Sequence, residues 1–94
     1  MVDADELNRN LKVCPEVMFQ ELGGEMVLLD LASESYFGLD EVGARIWALL
    51  NEHGELQTVF EAMLAEYDVE PRELEKDLLE LVGRLLEAGL VREG

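Results

Sequence analysis

At Asp40 the spacing of apolar residues changes period, and that change constrains the fold more than any other feature of the chain. Before it lie three short runs rich in β-branched, aromatic and aliphatic residues: KVCPEVMFQEL at 12–22, EMVLLDLA at 25–32 and SYFGL at 35–39. After it, apolar residues recur every three or four positions through three successive stretches, the helical period. Gly23-Gly24 between the first two runs is a two-residue turn signal, and Ser33-Glu34 makes a second polar turn. Pro15 lies near the start of the first run, where an edge strand or the beginning of a strand tolerates a missing N–H. The opening half is therefore expected to form three antiparallel strands. Residues 1–10 are polar and patternless, and are expected to be a loose tail.

Asp40 is a good N-cap for a helix reaching about Glu52. Val42, Ile46, Leu49 and Leu50 share one face, with Trp47 on the flank, and Gly54 suits the residue that ends the helix. Thr58 is the expected N-cap of a second helix, with Glu61 completing a capping box. That helix carries Val59, Phe60, Met63, Leu64 and Tyr67. Pro71 fits the first position of a third helix. There Leu74, Leu78, Leu81 and Leu85 make a stripe that Leu79, Val82 and Leu86 widen. The apolar arc reaches about 160°, against the roughly 100° one core contact needs. Gly89 stops the helix, and Leu90-Val91 is a short apolar hook. The expected architecture is one α+β domain over residues 1–94. It is winged helix-turn-helix-like, a three-stranded antiparallel sheet followed by three helices.

Charge limits the partners. The 94 residues carry 22 acidic and seven basic side chains, a formal net charge of −15. Phosphate backbones and anionic lipid surfaces call for clustered Lys and Arg, so neither nucleic acid nor membrane is an expected partner. A basic or neutral peptide is favoured by long-range attraction. No basic-then-apolar signal segment opens the chain and no apolar run is long enough to span a bilayer, so a cytoplasmic location is expected.

Residues equipped for chemistry are scarce. Cys14 is the only cysteine and His53 the only histidine. No internal disulfide and no cysteine- or histidine-pair metal site can form. Gly23-Gly24 lacks the helix and lysine of a phosphate loop, and no cofactor is implied. Cys14 and His53 as a thiolate–imidazole pair would make a small hydrolase. The plainer account is a small buried strand side chain and a helix C-terminal residue favoured by the dipole. Carboxylate pairs such as Glu75 and Asp77 are expected by chance among so many acids. No catalytic residue is assigned, and the chain is not expected to be an enzyme. A winged-helix transcription regulator is a further alternative, but it needs a basic recognition helix and none of the three is basic.

Two features point to binding. The third strand is short and leads straight into a helix, which suits a sheet edge whose unpaired N–H and C=O groups can accept another extended chain. The over-wide apolar arc of the third helix offers a spare flank, so that strand and helix would wall a groove.

The same segments carry a family resemblance. YFGLDEVGARIWALL resembles the strand-to-helix signature of the PqqD-like family, the RiPP precursor peptide recognition elements, and DLASESYFGL resembles its second turn and third strand. AEYDVEPRELEKDLLELVGRLLEAGLV resembles its C-terminal half, including Asp77 and the closing Gly89-Leu90-Val91. The free-standing PqqD-like proteins of lasso peptide biosynthesis are the most similar subgroup, and the resemblance extends from about Met26 to Val91. It implies a protein that is not an enzyme, with a winged-helix-like fold. Such a protein pairs the leader segment of a ribosomally made precursor antiparallel with its third strand, against its third helix. It presents that precursor to a separate transglutaminase-like cysteine protease and to an ATP-dependent macrolactam synthetase. By the same resemblance the strand wall is Ser33, Glu34, Ser35, Tyr36 and Phe37, acting through the backbone. The helix wall is Leu74, Glu75, Asp77, Leu78, Leu81 and Val82. The leucines and Val82 would hold apolar leader residues, and Glu75 and Asp77 a cation or polar group, with a helix-orienting hydrogen bond as an alternative role for Asp77. Gly43, Ile46 and Trp47 match the family pattern and are assigned to packing.

Overall fold

The computed structural model describes residues 7–94. In order, the elements are β1 (Leu11–Val13), β2 (Val17–Leu22), β3 (Glu25–Asp30), β4 (Ser35–Leu39), α1 (Glu41–His53), α2 (Leu56–Glu66), α3 (Pro71–Glu87) and β5 (Val91–Glu93). β2, β3 and β4 form a three-stranded antiparallel sheet with β3 in the middle, followed by three helices. Leu28 stands opposite both Phe19 and Phe37, and Leu29 opposite both Met18 and Tyr36. Side chains alternate between faces. Val17, Met26, Leu28 and Leu39 are therefore buried in the core, while the row Met18, Leu29 and Tyr36 faces outward and is exposed.

The first run of the sequence is not one strand. Cys14, Pro15 and Glu16 turn the chain, and the Val17 N–H donates to the Cys14 carbonyl at 3.1 Å. Upstream of that turn β1 leaves the sheet and pairs antiparallel with β5, Leu11 opposite Glu93 and Val13 opposite Val91. The C-terminal hook is thus a strand. The lead-in is also fixed, at least from Leu7, which is buried in the core. The Leu56 N–H donates to the Arg9 carbonyl at 3.0 Å, and the Leu11 N–H to that of Gly54 at 2.7 Å. The rest of the expected tail, residues 1–6, lies outside the described residues.

α1 begins as its sequence dictates. Asp40 has extended backbone angles, and its Oδ1 accepts the Gly43 N–H at 2.8 Å, satisfying one of the helix's unpaired donors. A Cβ on Gly43 would stand 3.2 Å from that same oxygen and 3.3 Å from Leu39 Cδ2, so a side chain there would press on the cap. α1 ends at Gly54, whose φ is +78°. A Cβ at Gly54 would lie 2.9 Å from the Leu11 carbonyl oxygen. Conformation and space both require glycine where β1 crosses the end of the helix.

α2 starts earlier than the Thr58 capping box predicts. Leu56 is wholly buried, and anchoring it brings the first turn forward. Glu55 then takes the cap position, its carbonyl accepting the Val59 N–H at 3.1 Å. Thr58 lies inside the helix and donates its hydroxyl to Glu55 Oε1 at 2.7 Å. α3 has Pro71 at its start. It closes with the paired bonds of a Schellman motif, Gly89 N–H to Leu86 and Leu90 N–H to Leu85. Its wide arc has a structural explanation: α3 packs on α2 and on β5, and half-buried Leu79 and Leu86 rest on the core. Trp47 of α1 is completely buried. It meets the Phe19 ring edge-on at 6.2 Å and 69°, and its Nε1 has no hydrogen-bond partner among the described residues.

Candidate functional site

β4 pairs with β3 on one side, and among the described residues nothing pairs with its other side. Alternate residues of an antiparallel edge strand aim N–H and C=O outward, so β4 presents an unfilled ladder. Beside it runs a cleft of about 530 Å³. Gly38 and Leu39 form the strand wall. Asp40, Val42, Gly43 and Ile46, from the first turns of α1, form the floor. Asp77, Glu80, Leu81 and Arg84 form the opposite wall on α3. At 100° per residue, positions 77, 80, 81 and 84 occupy one side of a helix. They border the buried stripe of Leu74, Leu78, Val82 and Leu85, and Leu81 belongs to both.

At one end of the cleft α3 reaches across to β4. The Arg84 guanidinium lies over the Phe37 ring, 5.1 Å from its centroid, in cation–π contact. Elsewhere the lining is acidic, with Asp40, Asp77 and Glu80. β2 is the second edge of the sheet left unpaired among the described residues, and its Phe19 leans on Trp47.

The expected site residues separate into groups. Ser33 and Glu34 belong to the turn before β4, where Glu34 has φ +57°. Asp30 holds that turn, accepting the Ser33 hydroxyl at 2.9 Å and the Ala32 N–H at 3.2 Å. Ser35, Tyr36 and Phe37 lie in β4. Tyr36, 79% exposed, points to the outer face of the sheet, away from α3, while Phe37 points to the inner face. Asp77 and Leu81 line the cleft. Leu74, Leu78 and Val82 are in the core, the last two with no exposed surface. Glu75 is about 160° round the helix from Asp77 and does not line the cleft. Sequence reasoning did not place Gly38, Leu39, Asp40, Val42, Glu80 or Arg84 at the site, and it gave Gly43 and Ile46 to packing alone. For Glu80 and Arg84 the available signal was their spacing of three from Asp77 and from Leu81.

Cys14 and His53 make no contact that would join them. The Cys14 N–H donates to the Leu90 carbonyl at 3.0 Å. His53 lines a separate shallow hollow with Leu11, Lys12, Val13 and residues 50–54, which does not include Cys14. No group of three potential metal ligands occurs among the described residues. Among the described residues, no helix is long and apolar enough to cross a membrane. α3, the helix placed for groove recognition in a winged-helix regulator, carries five acidic residues against three basic ones.

Residues 25–91, from β3 to the start of β5, match the family described as Coenzyme PQQ synthesis protein D (PqqD). The chain belongs to the PqqD-like family of RiPP recognition elements. Two solved structures resemble this PqqD-like chain over most of its length. One, TbiB1 in complex with the TbiA(beta) leader peptide, is 37% identical with a TM-score of 0.81. The alignment covers 86% of this chain and 94% of that one. The other, a lasso peptide synthetase B1 complexed with its leader peptide, is 30% identical with a TM-score of 0.78. Here the coverage is 88% of this chain and 98% of the other. No curated protein matches.

Proposed function

We propose that this PqqD-like domain binds the leader segment of a ribosomally synthesised precursor peptide in lasso peptide biosynthesis. The leader adds as an antiparallel strand to β4 and sends alternate side chains into the cleft against α3. The observation that carries this reading is the unfilled β4 ladder directly beside a cleft of peptide-binding size. The two relatives, both described as complexes with leader peptides, support it.

Backbone bonds along β4 contribute only about 0.5–1.5 kcal/mol net apiece. Affinity and choice therefore come from the side chains that enter the cleft over Leu39, Ile46 and Leu81. Ser33 and Glu34 act by shaping the turn that starts β4, and Ser35, Tyr36 and Phe37 by their backbone. Asp77 and Leu81 meet the guest directly. Leu74, Leu78 and Val82 support α3 from beneath. The domain acts as a scaffold without turnover. It presents the held precursor to a separate transglutaminase-like protease and to a macrolactam synthetase in the cytoplasm.

Fluorescence polarisation with a labelled TbiA(beta) leader peptide tests the binding step. Saturable binding is expected, with slowed amide exchange confined mainly to residues 35–39. Exchange slowed elsewhere, with β4 unchanged, would reject strand addition.

A further inference from the structure

Among the described residues Arg84 is the one arginine that lies over an aromatic ring, and like Arg72 and Arg92 it has no ion pair. Arg9 and Arg45 give their donors to carboxylates, Glu93 at 2.8 Å and Glu66 at 2.6 and 2.7 Å. Arg84 makes no ion pair and no side-chain hydrogen bond with the described residues, although the chain holds 22 carboxylates. Its guanidinium instead lies over the Phe37 ring. Stacking occupies the flat face of the group and leaves the N–H donors at its edge unused. The side chain is thus held in place at the mouth of the cleft, next to an open strand edge, with a carboxylate-shaped fork of donors unfilled.

The remaining charges of the cleft are acidic. Glu80, one turn before Arg84, neighbours it on the helix surface without forming an ion pair with it, and Asp77 precedes Arg84 by two turns, about 10 Å along the helix axis. Asp40 lies three residues beyond Phe37 at the start of α1. The cleft is therefore polar along its length, cationic where Arg84 covers Phe37 and acidic toward Asp77 and Asp40.

We propose that Arg84 is a specificity-determining residue that pairs with a carboxylate on the guest strand beside Phe37, fixing the guest's register and direction. This deepens the leader-binding reading and rests on it. A strand shifted by one residue would turn that carboxylate to the outer sheet face. A strand laid in reverse would carry it toward Asp77, which repels it. The Phe37 ring and the guest backbone shield the pair from water on two sides, making it stronger than an open surface pair.

The test uses the TbiA(beta) leader peptide as probe, in two scanning sets that place glutamate or lysine at each position in turn. Wild-type protein is expected to prefer glutamate at one inward-facing position. In Arg84→Glu the preference at that position should reverse, a change in the glutamate-to-lysine affinity ratio of roughly tenfold or more. Arg84→Lys should keep the preference in weaker form, because a point charge replaces a planar fork. Arg84 is exposed, so the thermal midpoints of these variants should match wild type and exclude a folding defect. Glutamate-to-lysine ratios that are the same for wild type and Arg84→Glu at every position would overturn the proposal while leaving leader binding intact. Failure of wild-type protein to bind the unmodified probe would remove both.

Discussion

Single residues on α3 divide between the core and the cleft, although they alternate within one helix. Leu78 has no exposed surface, so Leu78→Ala should lower unfolding free energy by about 2–5 kcal/mol, measured by chemical denaturation. Asp77→Ala removes an exposed side chain at the cleft. It should leave stability within about 0.5 kcal/mol while changing leader affinity in the polarisation assay. The Arg45–Glu66 pair illustrates the pH sign. The hydrogen bond from Arg45, helped by its charge, holds the Glu66 carboxyl below its usual pKa. Its stabilisation is therefore present above the ordinary glutamate pKa and fades as pH falls through the lowered value. The difference in thermal midpoint between wild type and Glu66→Gln should be small at pH 7 and should vanish in strong acid, because the pair is exposed.

At the scale of elements, much was legible in the residues and some was not. The switch at Asp40, the cap it makes on Gly43, the stop at Gly54 and the start at Pro71 all follow from local chemistry, and the structure has them. β1 and β5 were missed because three-residue strands have no readable period, and their pairing joins Leu11 to Glu93, residues far apart in the sequence. The α2 boundary shifted because burial of Leu56 outweighed a good local capping pattern. The rotation of α3 depends on what packs on two sides of it. The apolar arc of the helix therefore gave its width but not its direction, and the cleft wall proved to be the polar margin carrying Asp77 and Arg84. An element-level prediction follows from the α1 cap. Asp40→Ala should cost about 1 kcal/mol and, because Asp40 joins β4 to the cleft floor, should also speed amide exchange at Leu39 and Gly43.

At the scale of the molecule, net charge and open edges have to be considered together. The β2 and β4 edges of the three-stranded sheet, unpaired among the described residues, and an outer face bearing Met18, Leu29 and Tyr36 invite self-pairing. A net charge of −15 opposes it, since copies of the chain repel one another. The same repulsion acts within the fold. Raising sodium chloride from about 0.02 M to 0.5 M, which shortens the screening length from roughly 20 Å to 4 Å, should raise the thermal midpoint. It should also increase association between copies, read by analytical ultracentrifugation. A midpoint that falls with salt would mean that attractive ion pairs outweigh self-repulsion.

The short ladder between β1 and β5 sets Leu11 opposite Glu93 and Val13 opposite Val91, so the first described strand is held by the last. Whatever loosens one of these strands therefore deprives the other of its partner in that ladder.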